Sequence, residues 1–207
     1  MTKRHSIKKV KWIVVHYSAS PIENDTPASV IDAGHRAKGY AGMGYHFYIR
    51  KDGDVELGRP VDATMFTQGA HVLGHNDVSI GICYEGGVHA ADPNKGYDSR
   101  TLAQTQTLIR LLDHLTTLCP GAKVVGHKDM PGAKTQCPGF DVAAWWAEVL
   151  SERFGPAVSA PVIVHLPPER PVPAPAPVAK RPGIIPEPAV LIQIAAALFK
   201  LFRKAKR

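Results

Sequence analysis

The stretch Gly126-His127-Lys-Asp-Met-Pro-Gly-Ala-Lys-Thr-Gln-Cys137-Pro-Gly-Phe140 sets an imidazole and a thiol ten residues apart across a run rich in turn formers. Those are two of the three protein donors that a hydrolytic zinc site uses, the fourth position being kept for water. The best third donor is His16, which ends the apolar run Trp12-Ile-Val-Val-His16. From position alone His16 fits a core histidine as well as a ligand. Two neutral imidazoles and a thiolate make a site of low positive charge, in which bound water has its pKa lowered from about 15.7 toward ~7 and an amide carbonyl can be polarised. Amide hydrolysis further needs an oxyanion donor and a proton route to the leaving amine.

These residues need elements to hold them. Lys123–Gly126 reads as a short strand ending at His127, Pro131-Gly132 and Pro138-Gly139 are turn dipeptides, and Asp141 is suited to cap a helix running to Arg153. Trp12–Ser18 reads as a central strand, with His16 at its C-terminal end, where open α/β sheets place ligand crevices. Residues 42–50 alternate as a strand, Lys51-Asp-Gly-Asp54 forms a hairpin turn, and 55–58 return; Asp77–Cys83 is a further strand. Helices are expected over 27–38, with Val30, Ile31 and Gly34 along one side, and from Asp98 or Ser99 to Leu118, with Leu102, Leu108, Ile109, Leu112 and Leu115 forming a core stripe. His114 then lies at the surface or its boundary, and Trp145 and Trp146 pack against the sheet. By strand alternation His46 points away from Tyr45 and is structural, while Cys83 reads as a small buried hydrophobe. The fold class is α/β, a mixed central sheet flanked by helices.

Four blocks stand in one order: Val14-Val-His16-Tyr-Ser-Ala19, Gly44-Tyr45-His-Phe-Tyr-Ile49, Asn76-Asp-Val-Ser79-Ile-Gly81-Ile-Cys83, and Gly126-His127-Lys-Asp129 through Cys137-Pro-Gly-Phe140. Together they resemble the zinc-dependent N-acetylmuramoyl-L-alanine amidases of the phage lysozyme and peptidoglycan recognition protein superfamily, over about residues 10 to 150. The resemblance implies peptidoglycan as substrate and Zn2+ held by His16, His127 and Cys137. It gives Tyr45 a hydroxyl aimed at the zinc-bound water or the substrate oxygen, beside the plainer reading of a half-buried strand tyrosine. Two residues before the third ligand the family carries lysine or threonine; here that position is Thr135, with Lys134 one earlier, so the oxyanion donor is one of these two. His71, in Gly69-Ala-His-Val-Leu-Gly74, matches a histidine bordering the substrate groove. At the position of Cys83 a recycling branch of the family carries a glutamate base, so cysteine resembles the phage-lysozyme branch. Other members bind peptidoglycan without cutting it, typically lacking the cysteine ligand, and phage members can also regulate the phage RNA polymerase.

Charge divides the chain. Residues 1–155 hold 17 Lys and Arg against 16 Asp and Glu, a balance of +1, whereas residues 156–207 hold 8 against 2, a balance of +6. That argues against a nucleic-acid face on the first part and moves any anionic partner to the second. Residues 156–188 contain 11 prolines, a Pro-rich extended linker. Residues 189–207 read as a cationic amphipathic helix whose apolar part is shorter than the ~20 residues needed to span a bilayer, and which suits an anionic membrane or lipopolysaccharide. Three cysteines, Cys83, Cys119 and Cys137, are too few for a disulfide framework and fit a reducing compartment. No secretory signal is visible. A monomer made in a host cytoplasm and freed to reach the wall through a holin is expected, with residues 1–155 as its amidase domain.

Overall fold

The computed structural model describes residues 2–155; the linker and basic helix expected over 156–188 and 189–207 lie outside the described residues. The chain runs β1 (Arg4–Ser6), β2 (Trp12–Tyr17), β3 (Ser20–Pro21), α1 (Ala28–Ala37), β4 (Phe47–Ile49), β5 (Val55–Leu57), β6 (Met65–Thr67), β7 (Ser79–Tyr84), β8 (Gly87–Val88), α2 (Leu102–Leu118), β9 (Lys123–Gly126) and α3 (Val142–Phe154). Single 3-10 turns follow β1 and β9, the second at His127–Asp129. The main sheet has the order β5-β4-β7-β2-β9. Strands β4, β7, β2 and β9 are parallel, and β5 is the antiparallel hairpin partner of β4, so the sheet is mixed and flanked by helices as its sequence pattern implied.

Central parallel strands bury both faces, which is why β2 and β7 read as nearly continuous apolar runs. Ile13 and Val15 of β2 join Ile80 and Ile82 of β7 under Leu108, Leu112 and Leu115 of α2 and Val142 and Trp146 of α3. Each such side chain, taken fully out of water, contributes about 1.5–3 kcal/mol. Alternation turns Val14 to the other face, where it meets Val72 and Met130, and Cys83 packs there with Ala28, Met43 and Tyr48. His16 follows Val14 onto that second face and is as buried as the core around it. Trp146 and the buried Cys83 have the packing roles expected of them, and His114 is exposed.

Three boundaries differ from the sequence reading, each for a local reason. Helix α2 starts at Leu102 rather than Asp98 or Ser99, because Thr101 and Gln104 form a reciprocal capping box at 3.0 Å in both directions. Leu102, at the first helical position, is exposed rather than part of the stripe. Strand β4 begins at Phe47 rather than residue 42. Gly44 lies so close to the next loop that a Cβ there would stand 2.3 Å from the Ala70 carbonyl oxygen, and Gly42 has φ +127°, a region L side chains rarely adopt. Finally, the inner side of α1 is Ala28, Ile31, Asp32 and His35, while Val30 is exposed. Asp32 accepts from Met43 N at 2.7 Å and His35 Nδ1 from Gly44 N at 2.9 Å, so polar groups fasten the loop that delivers Tyr45.

The strand ends are held by a buried carboxylate. Glu85, after β7, accepts from Thr26 N at 2.6 Å, Arg50 Nε at 2.9 Å and Lys51 N at 3.2 Å. Arg50 also reaches Glu56 at 2.8 Å, and Glu56 accepts from Ala28 N at 2.7 Å, which caps an α1 start whose Pro27 has no side-chain acceptor. The ion pair is therefore fully hydrogen-bonded, the condition under which a buried charge is tolerable.

Candidate metal centre

Parallel register brings the first two donors side by side. Val15 of β2 pairs with Gly126 of β9, so the next residues, His16 and His127, emerge as neighbours with ring centroids 4.6 Å apart. On the other side His16 pairs with Cys83 of β7. Gly126 admits the sharp turn into His127: a Cβ there would lie 2.7 Å from Pro138 and 2.9 Å from Asp129. The loop carrying Cys137 is tied back to this turn by Lys128 N donating to Cys137 O at 2.7 Å. Cys137 Sγ then lies 3.8 Å from His16 Nδ1 and accepts from Tyr17 N at 3.3 Å.

The donor atoms of His16, His127 and Cys137 all lie within 4.8 Å of one another. A tetrahedral ion with bonds of about 2.0–2.3 Å would draw them slightly closer. Their chemistry fits that ion. Burial, then the neighbouring His71, His127 and His46, hold the His16 imidazolium far below its ordinary pKa, and burial lowers that of His127, so both rings are neutral and able to ligate. Burial pushes the Cys137 thiol up to about 12, against the Tyr17 N–H, which favours the thiolate. Without a cation the sulfur keeps its proton; a divalent metal would release it.

The other residues singled out by the sequence surround this point unequally. Tyr45 is half-buried, its ring 5.0 Å from His16 and 5.6 Å from His35. Burial and then the thiols of Cys83 and Cys137 raise its phenol well above the usual range, so it keeps its proton as a hydrogen-bond donor. Thr135 is exposed, and its Oγ1 accepts from Cys137 N at 3.1 Å. Lys134 is exposed and has no hydrogen-bond partner among the described residues. His71 is buried with its ring turned to His16 Nε2 at 3.1 Å, rather than lying open on a groove. His46 is structural as alternation suggested: its Nδ1 accepts from Gly81 N and its Nε2 donates to Thr67 O, both at 2.9 Å.

Two contributors carried no recognisable signal in the sequence. His35 sits on an amphipathic helix whose apolar pattern pointed elsewhere, yet its ring backs Tyr45. Leu73, beside His127 and Pro131–Ala133 at a small cavity of about 120 Å³, is 95% exposed.

An open mixed sheet with a His-His-Cys cluster at the ends of its parallel strands is an arrangement that could hold a metal ion. Comparison with known proteins sharpens this. Residues 6–140 match the family described as N-acetylmuramoyl-L-alanine amidase, and the chain belongs to that family. It is 39% identical over 146 residues to the endolysin of Klebsiella phage KP32, covering 70% of this chain and 89% of the relative. It is 37% identical over 134 residues to the endolysin of Escherichia phage T7, covering 65% and 83%. Among solved structures it is similar to the N-acetylmuramoyl-L-alanine amidase LysC from Clostridium intestinale, at 31% identity and TM-score 0.56, covering 71% of this chain and 87% of that one. The fold alone is shared with Drosophila PGRP-LB, at 20% identity and TM-score 0.56.

Proposed function

We propose that this chain is a zinc-dependent N-acetylmuramoyl-L-alanine amidase that hydrolyses the amide between N-acetylmuramic acid and the L-alanine of the peptidoglycan stem, and that it acts as an endolysin in host lysis. The observation that carries the reading is the convergence of His16, His127 and Cys137, drawn from three separate segments of the matched region, within 4.8 Å. Zinc bound there supplies a Lewis acid for the amide carbonyl and makes water acidic near neutrality. The protein's own groups do the rest. The Tyr45 phenol, neutral and beside the ligands, donates to the oxygen that gains charge. Thr135, fixed by the Cys137 amide, donates a second hydrogen bond from the ligand side. Both are hydrogen-bond donors of the kind worth about 10²–10³ in kcat in acyl-transfer sites. Cys137 favours the enzyme over a non-catalytic binding module. The reading also includes holin-type release and, from sequence alone, a basic 189–207 segment that binds anionic membrane or lipopolysaccharide.

The test is zinc content and muropeptide release measured together on the full chain, with Cys137→Ala alongside. One equivalent of zinc and newly freed L-alanine amino groups, both lost in the variant, are expected. Stoichiometric zinc without cleavage would instead mark a binding or regulatory protein.

A further inference from the structure

Behind the ligands, on the side away from Cys137, a line of hydrogen bonds leads into the sheet. His16 Nε2 faces His71 Nδ1 at 3.1 Å, His71 Nε2 faces Ser79 Oγ at 3.3 Å, and Ser79 Oγ donates to the His75 carbonyl oxygen at 2.7 Å. The polarity of this line follows from its last member. A hydroxyl has one proton to give, and that of Ser79 goes to a carbonyl, which can only accept. Ser79 Oγ must therefore accept from His71, which puts the His71 proton on Nε2. A neutral imidazole then has a bare Nδ1, which can only accept from His16 Nε2–H. The lone pair of His16 is thereby left on Nδ1, the nitrogen that points at Cys137 Sγ.

We infer that His71 is the positioning residue of the metal centre: through Ser79 and the His75 carbonyl it fixes the tautomer and ring orientation of His16, so that Nδ1 is the ligating atom. This rests on the metal reading above. The ring of His71 has little freedom to do otherwise. A Cβ on Gly81 would lie 2.8 Å from its Cγ and Nδ1, and one on Gly69 would lie 2.5 Å from its Cδ2, so two bare backbone positions grip it from either side. The ring of His46 meets it edge-on at 5.6 Å, and its own backbone N–H is held by Asn76 Oδ1 at 2.8 Å. His71 is thus placed to act through His16. Groups that orient a ligand in this way are typically worth 10–100-fold in metal affinity.

Two measurements on the full chain decide it. The first is the tautomer pattern of the ¹⁵N-labelled, zinc-loaded wild type by long-range ¹H–¹⁵N correlation. Protons on Nε2 of both His71 and His16 are expected, with His16 Nδ1 carrying the metal-induced shift; a proton on His71 Nδ1, or zinc on His16 Nε2, overturns the inference. The second is zinc affinity by chelator competition. His71→Ala, and Gly81→Ala, which crowds the ring without removing it, should bind zinc about 10–100-fold more weakly. His71→Asn, which returns an acceptor oxygen near the place of Nδ1, should recover most of the loss. Wild-type affinity in both alanine variants would overturn the inference while leaving the metal centre intact, whereas a wild type that takes up no zinc would overturn the metal reading itself.

Discussion

Thr135 and Lys134 are adjacent in sequence but differ in what the structure gives them. Both are exposed; Thr135 has its oxygen held by the Cys137 amide, whereas Lys134 has no hydrogen-bond partner among the described residues. A donor whose position is already fixed costs no reorganisation when charge develops, which is the property that makes oxyanion donors effective. Thr135→Val should therefore lower kcat by about 10²–10³ with zinc content retained, and Thr135→Ser should restore most of it. Lys134→Ala should stay within a few-fold of wild type. A reversed ranking in steady-state assays would move the role to the lysine. The residue types of the centre were singled out by four motif blocks standing in one order, since the His127 to Cys137 spacing alone, and the position of His16, fit a plain structural role as well. The role of His71 was not, since sequence places it near the site but says nothing of which way a ring faces.

At the scale of elements, His46 stitches β6 and β7 to the start of β4 through both ring nitrogens, with Nε2 donating to Thr67 O and Nδ1 accepting from Gly81 N. That arrangement needs a neutral ring, and burial lowers its pKa to about 4 from an ordinary 6.5. In the window between those values the unfolded chain binds the proton more readily than the folded one. Stability is thus full above about pH 6.5 and is lost as pH falls toward 4, by on the order of 3 kcal/mol for this group. His46→Gln should be less stable at pH 7 but show a shallower decline across that window in denaturant titrations; an undiminished slope would assign the acid sensitivity to other groups. Strands β2 and β7 were readable because central parallel strands advertise themselves as unbroken apolar runs. The entry to β4 was not, because its backbone bonds to loops at Gly44 and Tyr45, and such pairing leaves no period in the sequence. The inner side of α1 was misread for a related reason: it is fastened by Asp32 and His35, which hydrophobic patterning discounts.

For the molecule as a whole, the separation of charge is the dominant feature: +1 over residues 1–155 and +6 over residues 156–207. Basic segments near an anionic bilayer contribute about 1 kcal/mol per Lys or Arg within a Debye length. Deleting residues 189–207 should abolish binding to vesicles containing anionic lipid while leaving cleavage of purified peptidoglycan unchanged. Equal vesicle binding by the full and shortened chains would count against a membrane role.

The pairing of His16 with Cys137 has a consequence for how activity arises during synthesis. These two donors are separated by 121 positions, nearly the whole length of the domain, and a third segment must close between them. Contacts of such high contact order form late, after loop-closure entropy has been overcome. No shorter fragment emerging from a ribosome can assemble the full set of donors. On the zinc reading proposed above, the hydrolase stays inert until β9 and the Cys137 loop have docked, and the ion can be taken up only by a chain that extends past Cys137.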